Sequence, residues 1–143
     1  MLSEAGDFEM DLFAPEINLF VDQILAVTYA HAHARPVILT SFCPEICMLL
    51  AVKQTTYPVL FLNDSCNSPT GDRRATSVQA AARFAHRFGL DGIGMAAEPF
   101  VACPGLIPFV RGQGLYAASY GALNDEAGCS EVRESPSSLI EHS

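Results

Sequence analysis

Four short apolar runs, at 37–42, 59–62, 93–96 and 115–120, recur through the middle of the chain, and each is followed by a helix signal. They read as near-continuous Val, Ile, Leu, Phe and Ala rather than alternating with polar residues, the pattern of parallel strands covered on both faces in α/β proteins. Ahead of them, Ile17, Phe20, Val21, Ile24 and Leu25 share one helical face, which predicts a helix from Pro15, a first-turn proline, to about Ala34. Arg35 and Pro36 end it. Cys43-Pro44 opens a second helix with Ile46, Leu49 and Leu50 inward, and the stretch 55–58 turns into the second run. The polar stretch 63–74 is the longest connection, rich in Asn, Asp, Ser, Pro and Gly. Thr76 with Gln79 has capping-box spacing, and Val78, Ala81, Ala82, Ala85 and Phe88 line one face of the helix that follows. Gly89 and Leu90 have the character of a left-handed C-cap with its hydrophobic contact. A short helix runs from Pro104 through Val110 and closes at Gly112 or Gly114; beyond Cys129 the periodicity stops.

In parallel α/β folds, ligands sit at the carboxyl ends of the strands. Ser41, Asn63, Asp64, Glu98, Asn124 and Asp125 fall there, so one end of the sheet is expected to be polar. At 143 residues the chain suffices for one domain, burying about 70% of its unfolded surface.

The net charge of −8 is unevenly placed. Residues 1–22 hold six acids and no base, residues 125–143 hold five acids and Arg133, and the middle has seven bases against five acids. With one lysine, Lys53, there is no dense basic face for a nucleic acid. Cys43, Cys47, Cys66, Cys103 and Cys129 include no C-x-x-C pair, which argues against zinc. Their odd count, with an acidic rather than signal-like N-terminus, predicts reduced thiols and a cytoplasmic protein. No apolar stretch reaches the roughly 18 residues of a membrane span.

Individual residues offer several chemistries. Glu98, Asp64, Asp125 and Glu126 could form a carboxylate cluster for Mg²⁺ or Ca²⁺, with Glu98 foremost because it stands at a strand exit, against ordinary loop carboxylates and helix caps. His31 and His33 sit two apart on a helix, point to different faces and cannot chelate together; they and His86 read as surface histidines. Cys43 and Cys47, one turn apart, read as buried small residues rather than an activated thiolate pair. Arg73-Arg74 precede a helix whose free amides could help them meet a phosphate, the simpler reading being solvated charge.

The segments Thr40-Ser41-Phe42-Cys43-Pro44-Glu45-Ile46-Cys47, Tyr57-Pro58-Val59-Leu60-Phe61-Leu62-Asn63-Asp64, Ala97-Glu98-Pro99-Phe100 and Ser119-Tyr120-Gly121-Ala122-Leu123-Asn124-Asp125 resemble the glycerophosphodiester phosphodiesterase domain, in particular the fungal glycerophosphocholine type. The resemblance covers about residues 1–128, leaving 129–143 as a disordered acidic tail. It implies part of a (β/α)8 TIM barrel, family strands four to seven as four parallel βα units, acting on glycerophosphodiesters with a divalent cation, Mg or Ca, in the complete domain. It further implies a substrate-side wall made by Ser41, Phe42, Glu98, Tyr120 and Asn124, the last two standing where many members have W-T-V-N, although their interval here is one residue longer. The family's acid/base and metal half, an H-R-G motif with a later His and E-x-D and E-x-K segments on strands two and three, reads as absent. No His is followed by Arg-Gly, and Met1-Leu2 resembles the residues just after the E-x-K strand. The expectation is a chain inactive by itself that binds no metal. Two alternatives stand beside it: a non-catalytic binding or regulatory remnant that self-associates or pairs through open sheet edges, and an independent doubly wound domain for a small ligand.

Overall fold

A computed structural model describes residues 16–64 and 70–125. Pro15, the tail 129–143, Glu126, Cys66 and Cys129 lie outside the described residues. The chain divides into two compact units between His33 and Ala34. In the first, helix α1 (Ile17–His31) buries Val21 and Leu25, one turn apart. Both carboxylate oxygens of Glu16 cap it, accepting from the amides of Asn18 at 3.0 Å and Leu19 at 2.9 Å. The helix ends three residues earlier than the expected Ala34.

The second unit is built on four parallel strands, β1 (Leu39–Ser41), β2 (Val59–Asn63), β3 (Gly92–Ala96) and β4 (Tyr116–Tyr120). Their spatial order is β1-β2-β3-β4, the same as in the chain. That order suits a barrel wall; a doubly wound sheet needs a point where the order reverses, and none occurs among the described strands. Between them lie α2 (Pro44–Lys53), α3 (Val78–Arg87), α4 (Ala97–Ala102) and α5 (Leu106–Arg111). Register sets the exits side by side: Ser41 opposite Phe61, Asn63 opposite Met95, Ala96 opposite Tyr120.

Side chains alternate between the two faces of a strand. Phe61 points to the helices, where its ring meets Phe84 of α3 edge-on at 5.0 Å, and Phe84 continues to Phe88 at 5.1 Å. Ile93 and Met95 are fully buried on the same side of β3. Gly94 lies against Leu62 on the opposite face and Gly92 against Tyr116. Contrary to the expectation of cover on both faces, that second face is partly open: Ile38, Phe42 and Tyr116 are 54%, 57% and 41% exposed. A closed barrel covers its inner face with the strands opposite, and four strands do not close.

Several local expectations shift. The cap of α3 is Ser77, whose hydroxyl accepts from the Ala80 amide at 3.1 Å, while Thr76 donates its hydroxyl to the Arg73 carbonyl at 3.0 Å. The N-cap therefore lies one residue later than expected, and Ala80 at N3 has no side chain to complete a capping box. Phe84 occupies the buried centre of the α3 face, and Phe88 is 40% exposed. In α2, Cys47 and Leu50 are buried where Ile46 and Leu49 are only half-buried. The α3 terminus follows the expected form: Gly89 takes φ +68°, Leu90 donates to the Ala85 carbonyl at 2.9 Å, and Leu90 is buried.

Candidate functional site

The polar end of the sheet forms because each strand exit hands the chain to a turn or helix start. At β4 the chain leaves through Gly121 at φ +108° into a 3-10 turn at Ala122–Asp125. Asn124 closes this turn: its amide donates to the Ser119 carbonyl at 3.0 Å and its side-chain oxygen accepts from the Ser119 hydroxyl at 2.9 Å. The side chain proposed by resemblance to face a ligand is thus engaged with its own strand.

Tyr120 is the centre of the exits. Its hydroxyl donates to the Asn63 backbone carbonyl at 3.0 Å, tying the end of β4 to the end of β2 across β3. Its ring meets the Phe42 ring edge-on, centroids 6.2 Å apart and planes at 81°. Burial pushes its phenol above the ordinary range, and the negative charges of Asp64, within hydrogen-bond reach, and Glu98 push the same way. Tyr120 is therefore a neutral phenol at physiological pH. Asn63 is buried beneath it and donates its side-chain amide to the Ser77 carbonyl at 3.4 Å, which couples the β2 exit to the start of α3.

Glu98 does not stand directly at a strand exit as expected. It lies in the first turn of α4, with Pro99 behind it, and is exposed. A proline in a first helical turn loses no intrahelical bond, so Glu98-Pro99 begins a helix rather than ending a strand.

Ser41 belongs to a second network. Its hydroxyl oxygen accepts from the Cys43 amide at 3.0 Å, and the Cys43 thiol lies 3.3 Å from Glu45 Oε2. Glu45 Oε1 meets Arg74 at 2.6 Å, and Arg74 grips both oxygens of Asp72 through Nε at 2.8 and 3.1 Å. The guanidinium also lies 5.7 Å from the Phe84 ring centre. Arg74 is therefore engaged with carboxylates instead of standing ready for a phosphate, and Arg73 is exposed. The bonds from Arg74 hold both the Glu45 and the Asp72 carboxyls below their usual range. Burial pushes the Cys47 thiol up to about 12, so it is a packing residue and no nucleophile.

Of the five residues singled out by resemblance, the structure brings Phe42 and Tyr120 together, with Asp64 beside the Tyr120 hydroxyl; Glu98 reaches Tyr120 only through its charge, and Ser41 and Asn124 lie in local turns. The Glu45–Arg74 link joins residues 29 apart in sequence and has no local signal. His31 and His33 are exposed, and His86 Nδ1 lies 3.2 Å from the Gln113 carbonyl. Among the described residues no three of His, Cys, Asp and Glu converge as a metal would need. Glu9-Met10-Asp11 matches E-x-D letter for letter, which sequence reading passed over; it lies outside the described residues. No helix among the described residues is long and apolar enough to cross a membrane.

The model of the glycerophosphoryl diester phosphodiesterase family matches residues 1–135. A glycerophosphocholine phosphodiesterase of Eremothecium gossypii is 39% identical over 132 residues, 92% of this chain and 10% of that protein. One of Candida albicans is 38% identical over 134 residues, 93% of this chain and 12% of that protein. A human glycerophosphocholine phosphodiesterase is 29% identical over 123 residues, 83% of this chain and 18% of that protein. The chain spans about a tenth of the length of the two fungal relatives. No solved structure matches it.

Proposed function

Because this chain belongs to the glycerophosphoryl diester phosphodiesterase family, we propose that its four βα units are the substrate-side wall of a glycerophosphodiester-hydrolysing barrel and that the 143 residues alone bind such a diester without splitting it. The observation that carries this reading is the gathering of Phe42, Asp64 and Tyr120 at the carboxyl ends of the parallel strands, where barrel sites lie, with Glu98 just beyond β3 on α4 and its charge acting on Tyr120. Ser41 and Asn124 shape that rim through the turns they close. The parent substrate is a glycerophosphodiester such as glycerophosphocholine, yielding glycerol 3-phosphate and an alcohol; the cytoplasm is the site of action in this reading.

The chemistry explains why the wall does not suffice. Cleaving a phosphodiester at neutral pH needs a metal to neutralise developing charge, supplying several kcal/mol, and a general acid for the leaving oxygen, supplying about 10²- to 10⁴-fold. No His in the sequence is followed by Arg-Gly and no E-x-K occurs. In the complete family domain the divalent cation, Mg or Ca, and the acid come from that other half.

The test is a turnover assay of the chain with glycerophosphocholine and Mg²⁺ or Ca²⁺, reading glycerol 3-phosphate. The expected result is no release above buffer. Release that disappears in Glu98→Gln would overturn the proposal and make the carboxylates catalytic.

A second reading, favoured by the exposure of Ile38, Phe42 and Tyr116 along one sheet face, is that further polypeptide completes the sheet: a second copy, or a partner pairing with the β1 or β4 edge. Proteins rarely leave such edges and faces uncovered. Sedimentation at increasing concentration should then show association, and a monodisperse monomer up to high micromolar concentration counts against it.

A further inference from the structure

Phe61, Ile93 and Met95 fill the helix-facing side of the sheet, and alternation puts Leu62, Gly92, Gly94, Ala96, Tyr116 and Tyr120 on the other. Among the described strand residues this second face carries no charged side chain. Its smallest residues lie on β3, and its large ones, Ile38, Phe42, Tyr116 and Tyr120, lie on or beside β1 and β4. The face is also concave. Neighbouring strands stand about 4.8 Å apart, so β1 and β4 would be about 14 Å apart across a flat sheet. Yet the Phe42 and Tyr120 rings meet over β2 and β3 with centroids 6.2 Å apart, and the Tyr120 hydroxyl reaches the Asn63 carbonyl over β3. Among the described strands β1 is bonded only to β2 and β4 only to β3, so this curled wall ends in two open edges.

Strand count and direction say what can close it. About eight strands give an interior just wide enough for side chains to fill, so this wall is half of one. A twofold axis along the strands supplies the other half in the same direction and brings β4 of each copy beside β1 of the other. Pairing β1 with β1, or β4 with β4, would run antiparallel and leave two edges open. The area is of the right order. With about 150–250 Å² on an aromatic side chain, the exposed parts of Phe42 and Tyr116 come to about 100 Å² each, and Ile38 is comparable. In a pair these three remove about 600 Å² from water, half of the roughly 1,200 Å² at which specific interfaces begin. Two strand seams and the half-buried Leu62, Ala118 and Tyr120 supply the remainder.

We propose that two copies of this chain close one eight-stranded parallel barrel, β4 of each pairing with β1 of the other and the two concave faces forming its interior. The inference rests on the reading that further polypeptide completes the sheet and names that polypeptide. The strand exits of both copies then make a single rim.

The experiment takes the 143-residue chain through three measurements. Sedimentation velocity over a concentration series should reach twice the 15.4 kDa of one chain and stop there. An equal mixture of isotope-labelled and unlabelled chain, in filtered NOE spectra, should show contacts between copies from Leu39–Ser41 to Tyr116–Tyr120. Tyr116→Glu, at an exposed position, should keep the far-UV circular dichroism of the monomer and weaken the dimer at least about tenfold, because closure would bury two unpaired carboxylates. Val52→Glu, on the outward side of α2 at 84% exposure, should dimerise like the parent chain. A monomer at high micromolar concentration would overturn the proposal together with the reading it rests on. Assemblies that keep growing with concentration would overturn the closed pair and leave open-edge pairing in place. Contacts of β1 with β1 or β4 with β4, or Tyr116→Glu pairing as tightly as Val52→Glu, would overturn it as well. Glycerophosphocholine shifting the Phe42 and Tyr120 rings of a chain that stays monomeric would sink the dimer and spare the diester-binding wall; a closed dimer whose rings ignore the diester would do the reverse.

Discussion

Gly92→Ala tests whether the β3–β4 pairing that delivers Tyr120 is as tight as the structure makes it. A methyl at Gly92 would overlap the Tyr116 carbonyl oxygen and sit 2.8 Å from Tyr116 Cβ and 3.0 Å from its carbonyl carbon. Tyr116 is the register partner of Gly92, and its amide donates to the Asp91 carbonyl at 2.8 Å, so the obstruction is paired backbone and cannot swing aside. Relief requires opening the ladder, with an overpacking cost of about 1–3 kcal/mol and about 0.5–1.5 kcal/mol for a weakened hydrogen bond. Against this, alanine restricts the unfolded chain and returns about 0.4–1 kcal/mol. The net expectation is a loss of about 0.5–4 kcal/mol, centred on about 2 kcal/mol. Gly94→Ala is the internal control, because its methyl would meet only the far end of the Leu62 side chain, at 2.6 Å. A rotamer adjustment of about 0.5–1.5 kcal/mol nearly cancels the unfolded-state gain, so its net change is within about 1 kcal/mol of zero. Urea unfolding followed by far-UV circular dichroism, compared at constant m-value, measures both. Gly92→Ala as stable as Gly94→Ala would refute the reasoning. Because Tyr120 lies four residues along β4 from Tyr116, the Gly92 variant should also disturb the Tyr120 to Asn63 bond and the Phe42 ring resonances.

Three further outcomes are expected. Ser77→Ala should lower stability by about 1 kcal/mol and Thr76→Ala by clearly less in the same unfolding assay, since only Ser77 caps α3; the reverse order would restore the capping box at Thr76. Glu45 and Asp72 have depressed folded-state pKa values, so their contribution is present above the unfolded carboxyl range and is lost as pH falls through about 4.3 and below; Arg74→Gln should flatten this acid limb of a stability–pH profile, and an unchanged limb would refute the link. With its thiol pushed up to about 12 and its side chain buried, Cys47 should resist thiol labelling in the native chain at pH 8 while exposed Cys103 reacts, as peptide mapping of the label would reveal; equal labelling would contradict the packing of α2 on the sheet.

The strands were legible because their signal is local: a run such as 59–62 is apolar whichever way it is read, and helix-forming stretches separate the runs far enough to force parallel pairing. Choices between equivalent neighbours were not. Thr76 and Ser77 are both hydroxyl residues before an apolar helix, and which one caps depends on the path of the chain arriving from β2. Phe84 and Phe88 are one turn apart, and Phe84 lies under Phe61 only because β2 and α3 take this register. Cover on both faces followed from strand composition alone, whereas the exposure of Phe42 and Tyr116 depends on how many strands stand opposite. At the site, the family segments drew attention to Phe42 and Tyr120, but the meeting of their rings and the bond from Tyr120 to the β2 exit rest on how β1, β2 and β4 are placed, and the Arg74 bridge to Glu45 crosses 29 residues without any spacing rule. Glu98-Pro99 did carry a readable signal, a first-turn proline, that placed Glu98 on α4.

The central claim is that these strand exits hold a glycerophosphodiester without cleaving it. Its most direct test is one sample of the 143-residue chain with glycerophosphocholine and Mg²⁺, in which ³¹P resonance follows the phosphorus while the Phe42 and Tyr120 ring signals follow binding. The account predicts saturable ring shifts with the diester signal intact. A growing monoester signal, or rings that do not move at saturating diester, would contradict it.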